Sequence, residues 1–339
     1  MTAPASAGAP YAGLTPDCVL DALETVGLRG DGRLLALNSY ENRVYQVWLE
    51  DARAAPVVAK FYRPGRWTDE QIREEHAFVA ELAARELPVV APLALGGPPG
   101  RTLHAHAGFR FTVYPRQGGR APELEHRPTL EWMGRFLGRI HAVGATAAFV
   151  HRPALDITSF GVAPRDFLLA HDFVPADLLE AWRSVSAQAL DGVRRCYDRA
   201  GDLRTLRLHG DCHAGNVLWS DGTEASGPHF VDFDDSRMGP AVQDLWMLLA
   251  GDRVAMTRQL GAVLDGYERF HEFDRRELAL VEALRTLRLI HYSAWLGQRW
   301  DDPAFPAAFP WFNTQRYWQD RVLELREQIA LMDEPPLAV

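Results

Sequence analysis

The residues best suited to chemistry lie in one polar stretch, HGDCHAGNVLW, at residues 209–219. Asp211 is followed five residues later by Asn216, and a further carboxylate, Asp232, ends the short apolar run at residues 228–231. Carboxylate and amide oxygens are the ligands that Mg²⁺ prefers. An Asp beside an attacking hydroxyl, an Asn on a metal and a second Asp that links metal to phosphates together form a phosphoryl-transfer site. The spacing therefore predicts Asp211 and Asp232 as catalytic residues, and Asn216 and Asp232 as metal ligands.

Two other interpretations of this stretch are less well supported. His209 and His213 are four residues apart, which is a zinc-site spacing, but no third ligand of suitable spacing follows and no Glu is adjacent to His209. A simple turn rich in Asp and Asn would explain the loop alone. It would not explain the presence of a lone lysine, Lys60, and of an acid on an apolar helix stripe, Glu75, earlier in the chain.

Lys60 is the only lysine of the chain, since the other 35 basic residues are all arginine. An ammonium and a planar guanidinium are not interchangeable where a compact charge must reach a phosphate. Lys60 lies in the third of three segments rich in β-branched and aromatic residues, at 33–38, 43–49 and 56–61, which predict an antiparallel meander. The alternative is a lysine retained by chance on a solvated strand face.

Glu75 lies on the apolar stripe of a helix predicted over residues 69–85. Thr68 and Gln71 form a capping box at its start. Glu75 follows Ile72 by three residues on the stripe, and an acid on a buried face requires a partner. The alternative places Glu75 at the edge of the stripe, in contact with solvent.

The order of the predicted elements indicates two lobes. The chain has 339 residues, of which 47% are hydrophobic and 24% charged, as in a globular protein of about two domains. Further strands are predicted at residues 89–95, 101–105 and 108–114. Helical periodicity dominates afterwards, at residues 129–143, 175–200, 240–250, 253–271, 275–298 and 313–332. We expect a flexible N-terminus at 1–13, a sheet-rich lobe at 14–115 and a helical lobe at 116–335.

Charge and cysteine content exclude several functions. A formal charge of −9 has the wrong sign for a protein that binds nucleic-acid phosphates. The three cysteines are an odd number and far apart, so we expect no disulfide framework and a reducing cytoplasm. No signal peptide or membrane-spanning run is present in the sequence, so no membrane partner is predicted.

Four segments resemble the bacterial stress response kinase A family of Ser/Thr protein kinases, within the group of aminoglycoside, choline and homoserine kinases. They are LNSYENRVYQ at 37–46, VAKFYRP at 58–64, the stretch at 209–219, and VD with GPAVQDLW at 231–246. The resemblance extends from about residue 34 to the last helices. It implies an α+β, bilobal protein-kinase-like fold, with a small antiparallel-sheet N-lobe that carries one αC-type helix and a larger, mainly helical C-lobe.

The resemblance also implies roles for the matching residues. Lys60 would hold the α and β phosphates of ATP and pair with Glu75, and Asp211 would be the catalytic base. The other implied roles concern ATP binding (Ser39 and Tyr114), phosphate neutralisation (His213) and support of the catalytic loop (His209 and Asp244). Residues 38–42 lack the glycines of an ordinary protein-kinase phosphate loop.

The resemblance therefore implies a Ser/Thr protein kinase of the stress response that also phosphorylates itself, with ATP as co-substrate and Mg²⁺ as cofactor. We expect it to be cytoplasmic and monomeric. A small-molecule kinase of the aminoglycoside, choline or homoserine type is the alternative, because it shares every phosphoryl-transfer residue and differs only in its acceptor site. A non-catalytic nucleotide-binding module is less well supported, since Lys60, Asp211, Asn216 and Asp232 are all present.

Overall fold

The computed structural model describes residues 9–97, 99–221 and 226–339. The chain forms two compact units. The first comprises the chain up to Arg120 together with Val217–Asp234, and the second comprises Ala121–Asn216 together with Asp235–Val339. The sequence predicts a single boundary near residue 115, so the assignment of Val217–Asp234 to the first unit differs from that expectation.

The described residues contain nine strands. They are β1 (Gly30–Leu37), β2 (Arg43–Leu49), β3 (Val57–Phe61), β4 (His104–His106), β5 (Phe109–Pro115), β6 (Leu206–Leu208), β7 (Val217–Asp221), β8 (Ser226–Phe230) and β9 (Arg237–Gly239). The first five form an antiparallel sheet in the order β1-β2-β3-β5-β4. Lys60 lies on its central strand, opposite Val44 and Thr112. The predicted meander is therefore present.

Ten α-helices occur in the described part of the chain. They are α1 (Pro16–Glu24), α2 (Asp69–Ala84), α3 (Arg127–Gly144), α4 (Ala163–Ala170), α5 (Leu179–Ala200), α6 (Val242–Trp246), α7 (Arg253–Tyr267), α8 (Val281–Gln298), α9 (Ala304–Ala308) and α10 (Gln315–Asp333). Only α1 and α2 belong to the first unit. Among these described helices, none combines the length and the apolar character needed to cross a bilayer.

The two faces of the five-stranded sheet have different roles. Leu23 of α1 lies in one apolar cluster with Ala59 and Phe61 of β3. Because side chains alternate along a strand, Lys60 is on the other face. The lone lysine therefore points away from this apolar core.

Helix α2 begins at the predicted capping box. The Thr68 hydroxyl accepts a hydrogen bond from the backbone N–H of Gln71, and the Gln71 side chain accepts one from the Thr68 N–H. The predicted burial of its acidic position is also observed, because Glu75 is only 2% exposed. His76 of the same helix bonds through Nε2 to the Tyr62 hydroxyl at 2.8 Å, which attaches α2 next to β3.

Backbone hydrogen bonds explain why the hairpin β7–β8 belongs to the first unit. The N–H of Phe230 donates to the carbonyl of Pro88 at 2.8 Å, and the N–H of Val90 donates to the carbonyl of Phe230 at 3.0 Å. Trp219 and Arg120 exchange two further backbone bonds, at 2.6 and 3.0 Å. These long-range contacts have no local sequence signal.

Two predicted segments differ in the structure. The strand expected at 89–95 forms only isolated bridges, from Val89 to Phe230 and from Leu95 to Arg101. Prolines at 88 and 92 lack the N–H that a continuous ladder requires. Residues 1–8 of the expected flexible segment lie outside the described residues. Tyr11, within the same segment, donates from its hydroxyl to the Glu41 carbonyl at 2.9 Å.

The second unit is mainly helical, as expected, with β6 and β9 paired antiparallel. Each predicted helix is present, although the one predicted from residue 275 begins as a 3₁₀ turn at Arg275–Leu280. A π-helical turn at Thr158–Val162 that leads into α4 was not predicted. Gly161 and Pro164 weaken the helical pattern there.

Helices α3 and α7 pack at very short distance because glycine occupies the contact points. A Cβ atom at Gly134 would lie 1.9 Å from the Val263 carbonyl oxygen, and one at Gly266 would lie 2.0 Å from that of Glu131. At both positions the added Cβ would overlap backbone atoms of the other helix, so no side-chain rotation can relieve the overlap. The close approach therefore depends on these glycines.

A matched pair of substitutions on α7 tests this packing. We expect Gly266→Ala to lower the free energy of unfolding by about 1–3 kcal/mol, because the helices must separate. Gly261→Ala, on the same helix with no atom within 4 Å of the position that its methyl group would take, should instead be neutral or raise stability by up to about 1 kcal/mol. Urea unfolding followed by circular dichroism measures both, and equal effects would contradict the packing argument.

Candidate active site

Lys60 is held by two carboxylates of the first unit. It is 5% exposed, and its Nζ lies 2.9 Å from Asp232 Oδ1 and 3.2 Å from Asp234 Oδ1. Burial lowers the pKa of Lys60, but the charges of Asp232 and Asp234 outweigh burial and place that pKa well above its ordinary value. The side chain is therefore a fixed, charged ammonium.

The two carboxylates differ in what else they can bind. The side chain of Asp234 is 4% exposed, and its Oδ2 accepts hydrogen bonds from Asn42 at 3.2 Å and from Arg66. The side chain of Asp232 is 53% exposed. Its φ of 59° lies in the left-handed region that non-glycine residues seldom adopt. Asp234 thus fixes Lys60, whereas Asp232 presents a carboxylate beside the ammonium.

Glu75 and Tyr114, both predicted to bind ATP, lie close to this ammonium. The negative charge of Glu75 acts on the pKa of Lys60, more weakly than those of the two aspartates. Among the described residues, the ion pairs of Lys60 are with Asp232 and Asp234, so the pair with Glu75 stays a prediction. Burial raises the pKa of Tyr114, which keeps its phenol neutral, and its backbone pairs with β3.

Ser39 lies in the turn between β1 and β2. Its hydroxyl donates to the backbone carbonyl of Asn42 at 3.2 Å. The side chain of Asn42 in turn donates to Asp234 and accepts from the backbone N–H of Arg63 at 3.1 Å. The turn is therefore connected to the carboxylate that holds Lys60.

In the second unit, Asp244 fixes the start of the loop that carries Asp211. Asp244 is fully buried in α6 and accepts from the backbone N–H of His209 at 2.8 Å and of Gly210 at 2.9 Å. Gly210 has a φ of 88°, and a Cβ there would lie 2.1 Å from the Asp235 carbonyl oxygen. Only glycine fits this turn. His209 is itself fully buried, and its Nδ1 accepts from the Asp211 N–H at 3.4 Å.

His141 of α3 supports Asp244 from the opposite side. Its Nε2 lies 3.0 Å from Asp244 Oδ2, and its Nδ1 lies 2.9 Å from the Tyr267 hydroxyl. All three groups are buried. The loop therefore rests on a chain of polar side chains that reaches α7.

Three side chains surround the carboxylate of Asp211. Arg288 Nη1 donates to Oδ1 at 2.6 Å, while Asn216 Nδ2 and His213 Nε2 lie 3.4 and 3.5 Å from Oδ2. Burial raises the pKa of Asp211, but His213 and Arg288 outweigh burial and bring that pKa well below its usual range. Asp211 is therefore ionised and able to accept a hydrogen bond from a hydroxyl.

Asn216 and His213 are oriented by the same loop. Asn216 Nδ2 donates to the Asp211 carbonyl at 2.9 Å, which leaves its Oδ1 for another partner. The Gly215 N–H donates to His213 Nδ1 at 2.9 Å, so the ring proton is assigned to Nε2, which faces Asp211. The loop thus presents one amide oxygen and one ionised carboxylate.

The donor types of Asn216 in the second unit and Asp232 in the first fit Mg²⁺. The described ranges contain no group of three or more His, Cys, Asp or Glu side chains arranged to hold a metal by themselves. Mg²⁺ in phosphoryl-transfer sites takes only one or two protein oxygens and completes its shell with phosphates and water. Taken one at a time, each of these two oxygens is of the type that Mg²⁺ takes from a protein.

Sequence reasoning missed three residues of these clusters: Asp234, His141 and Arg288. Asp234 had a signal, because VDFDD at 231–235 contains three carboxylates, but only the first was given a role. His141 and Arg288 lie 103 and 77 residues from Asp244 and Asp211, respectively. Contacts of that separation leave no local pattern.

Comparison with known proteins identifies the family. The model of the phosphotransferase enzyme family (APH) matches residues 33–281. Stress response kinase A of Escherichia coli K12 is 46% identical over 324 residues, which cover 96% of this chain and 95% of that protein. The chain belongs to the stress response kinase A branch of the phosphotransferase enzyme family. The predicted family is thus confirmed.

A second relative of this kinase has a more specific name. The serine/threonine protein kinase RdoA of Salmonella typhimurium LT2 is 45% identical over 324 residues, again covering 96% of this chain and 95% of that protein. Among solved structures, an amicoumacin kinase in complex with AMP-PNP, Ca²⁺ and Ami aligns with a TM-score of 0.72 at 18% identity, covering 95% of this chain and 94% of that one. This likeness confirms the predicted kinase-like fold.

The environment of Lys60 predicts low amine reactivity. Only the free amine is acylated, and an ordinary lysine is about 0.4% free at pH 8. Because the pKa of Lys60 is raised and its side chain is buried, we expect acetic anhydride at pH 8 to modify Lys60 at least about tenfold more slowly in the native protein than in urea. Isotope-coded acetylation with peptide mass spectrometry measures the ratio.

Asp232→Asn is the companion variant for this measurement. It removes one of the two carboxylates that raise the pKa of Lys60, so native acetylation should accelerate. Equal rates for Lys60 in the native and denatured wild-type protein would contradict the described ion pairs.

Proposed function

We propose that this kinase is an ATP- and Mg²⁺-dependent Ser/Thr protein kinase that also phosphorylates itself. The observation that carries the proposal is the near full-length identity of 45–46% to kinases of the stress response kinase A type, one of which is named a serine/threonine protein kinase. A role in the stress response is part of the same proposal.

In this proposal Lys60 binds the α and β phosphates of ATP. Its ammonium is already charged and is held in place by Asp234, so it needs no reorganisation when phosphate arrives. Glu75 adds negative charge near the ammonium from α2. Ser39 contributes from the turn before β2, where no glycine is available. Tyr114 contributes backbone groups to nucleotide binding.

Asp211 positions the acceptor hydroxyl and accepts its proton. Its ionised carboxylate lies on a loop whose backbone is fixed by Asp244. Asn216 and Asp232 would hold Mg²⁺, which supplies neutralisation of the phosphate charge when bound. His213, beside Asp211, adds a ring N–H to this neutralisation. Positioning and electrostatics provide most of the catalysis in such a site, because phosphoryl transfer requires little covalent help from the protein.

A small-molecule kinase is the second candidate. The observation in its favour is the fold shared with an amicoumacin kinase at a TM-score of 0.72. An identity of 18% shows common architecture only, whereas the 46% identity with stress response kinase A extends over almost the whole chain. We therefore favour a protein acceptor.

The role of Asp211 is tested by Asp211→Asn. The amide keeps the shape but cannot take up the hydroxyl proton, so phosphotransfer should fall by about a thousandfold or more, equivalent to about 4 kcal/mol of barrier. Nucleotide affinity should change only severalfold, because the phosphate contacts are made elsewhere. Asp320→Asn, an exposed position on α10, serves as the matched control. Near wild-type transfer by Asp211→Asn, measured with radiolabelled ATP, would refute the assignment.

The acceptor class is tested by offering protein and small-molecule acceptors side by side. Radiolabelled ATP and Mg²⁺ are incubated with the kinase alone, with casein and myelin basic protein, and with aminoglycosides, choline and homoserine. We expect label on Ser or Thr of the kinase itself or of the added proteins, detected by gel and phosphoamino-acid analysis. Rapid transfer to a small molecule with no labelled protein would support the second candidate instead.

A further inference from the structure

Arg288 makes an ion pair to which the functions above assign no role other than keeping Asp211 ionised. It lies on α8, and its Nη1 is 2.6 Å from Oδ1 of Asp211. The side chain of Arg288 is 41% exposed, whereas the preceding arginine on the same helix, Arg285, is 19% exposed and pairs with Glu282. Exposed ion pairs contribute little to stability, on the order of 0–1 kcal/mol. Stability alone is therefore a weak explanation for a guanidinium on the catalytic carboxylate.

The contact restricts where an acceptor hydroxyl can bind. Oδ2 of Asp211 already faces Asn216 and His213. A carboxylate oxygen accepts more than one hydrogen bond, so Oδ1, which Arg288 contacts at 2.6 Å, can also accept one from a hydroxyl. A hydroxyl at hydrogen-bond distance from Oδ1 lies at most about 5–6 Å from Nη1 of Arg288. Whatever group is next to that hydroxyl in the acceptor therefore meets the guanidinium.

The chemistry of Arg288 selects the kind of neighbouring group. A guanidinium presents a planar set of N–H donors that matches a carboxylate or a phosphate in a two-bond arrangement. We propose that Arg288 determines acceptor specificity by binding an anionic side chain, a carboxylate or a phosphorylated residue, adjacent to the Ser or Thr that is phosphorylated. The inference rests on the proposed protein-kinase function. When that anion binds, the guanidinium of Arg288 moves from the Asp211 carboxylate to the anion, so one ion pair replaces another.

Charges around this part of α8 agree with an anionic acceptor. His291, one turn beyond Arg288, has a pKa lowered to about 4, first by its burial and then by Arg237, with further lowering by Arg299 and Arg288 and one opposing contribution from Asp235. Near neutral pH His291 is uncharged. Arg237 is paired with Asp235 at 2.8 Å and Arg288 with Asp211 at 2.6 Å, and Arg299 adds a further positive charge near His291.

The same face of α8 provides an extended surface for a peptide. Tyr292, Trp295 and Arg299 follow Arg288 at spacings of four, seven and eleven residues, which place them on one side of a helix. The rings of Tyr292 and Trp295 stack with centroids 5.6 Å apart, and Arg299 lies 5.3 Å above Trp295. A row of flat, partly exposed side chains suits the residues that flank an acceptor Ser or Thr.

The test uses four peptides that differ only in the residue next to one Ser: Glu, phosphoserine, Ala or Arg. With the wild-type kinase, kcat/KM for the Glu or the phosphoserine peptide should exceed that for the Ala peptide by about tenfold or more, and the Arg peptide should be poorest. The Glu and phosphoserine arms distinguish a carboxylate from a phosphate as the preferred anion. The difference should reside mainly in KM.

Arg288→Gln should remove the preference, so that the Glu, phosphoserine and Ala peptides have similar kcat/KM. Arg288→Lys keeps the charge without the planar donor set and should retain part of the preference. Arg326→Gln, an exposed position on α10, is the matched control and should retain all of it.

Two results would overturn the inference while the proposed function stands. One is equal use of the four peptides by the wild-type kinase. The other is a uniform loss of kcat for all four in Arg288→Gln, which would place Arg288 in the transfer step itself. Phosphoryl transfer to small molecules, without transfer to any peptide or protein, would refute the proposed function. The specificity role of Arg288 would then be refuted as well.

Discussion

Burial of a charged ammonium costs several kcal/mol of hydration free energy, which opposite charges beside it must offset. In the first unit Lys60 meets this condition with Asp232 and Asp234, at 2.9 and 3.2 Å. The pairing connects the central strand of the sheet to the chain that follows β8, two parts separated by 172 residues in sequence. Asn42 and Arg66 also bond to Asp234, so the turn after β1 and the chain before α2 depend on the same carboxylate. Loss of Asp234 would therefore leave a buried ammonium with only one close counter-charge.

The second unit contains a buried carboxylate, Asp244, whose lost hydration must likewise be replaced by partners in the protein. Asp244 has no arginine or lysine among its hydrogen-bond partners in the described residues; it receives two backbone N–H groups, from His209 and Gly210, and contacts His141. These backbone donors are part of the loop itself. The hydrogen bonds that the buried carboxylate of Asp244 needs therefore also fix the conformation of the loop. The left-handed Gly210 completes the turn that presents Asp211. Rigidity of this kind suits a reaction in which positioning provides much of the rate.

The parts of the structure that follow from local sequence were predicted, and those that depend on distant contacts were not. The capping box of Thr68 is a four-residue pattern, and side chains alternate between the two faces along the strand of Lys60. Both features could therefore be predicted from the local sequence. The helix over 158–170 was not predicted, because Gly161 and Pro164 have low helix propensity. The placement of Val217–Asp234 in the first unit depends on backbone bonds to residues about 100 to 140 positions earlier. Contacts of such high sequence separation leave no local pattern. In the same way, the acidic sequence VDFDD shows three carboxylates but not which of them is buried.

Asp232 and Asp211, the two exposed or partly exposed carboxylates of the proposed chemistry, each pair with one cation but differ in their other surroundings. The side chain of Asp232 is 53% exposed and lies beside the fixed ammonium of Lys60. Asp211 has a guanidinium on one oxygen and polar side chains near the other. An acceptor with an adjacent anion replaces that ion pair with an equivalent one. In the proposed specificity role, one arginine therefore both holds the Asp211 carboxylate before the acceptor binds and recognises the anion of the acceptor.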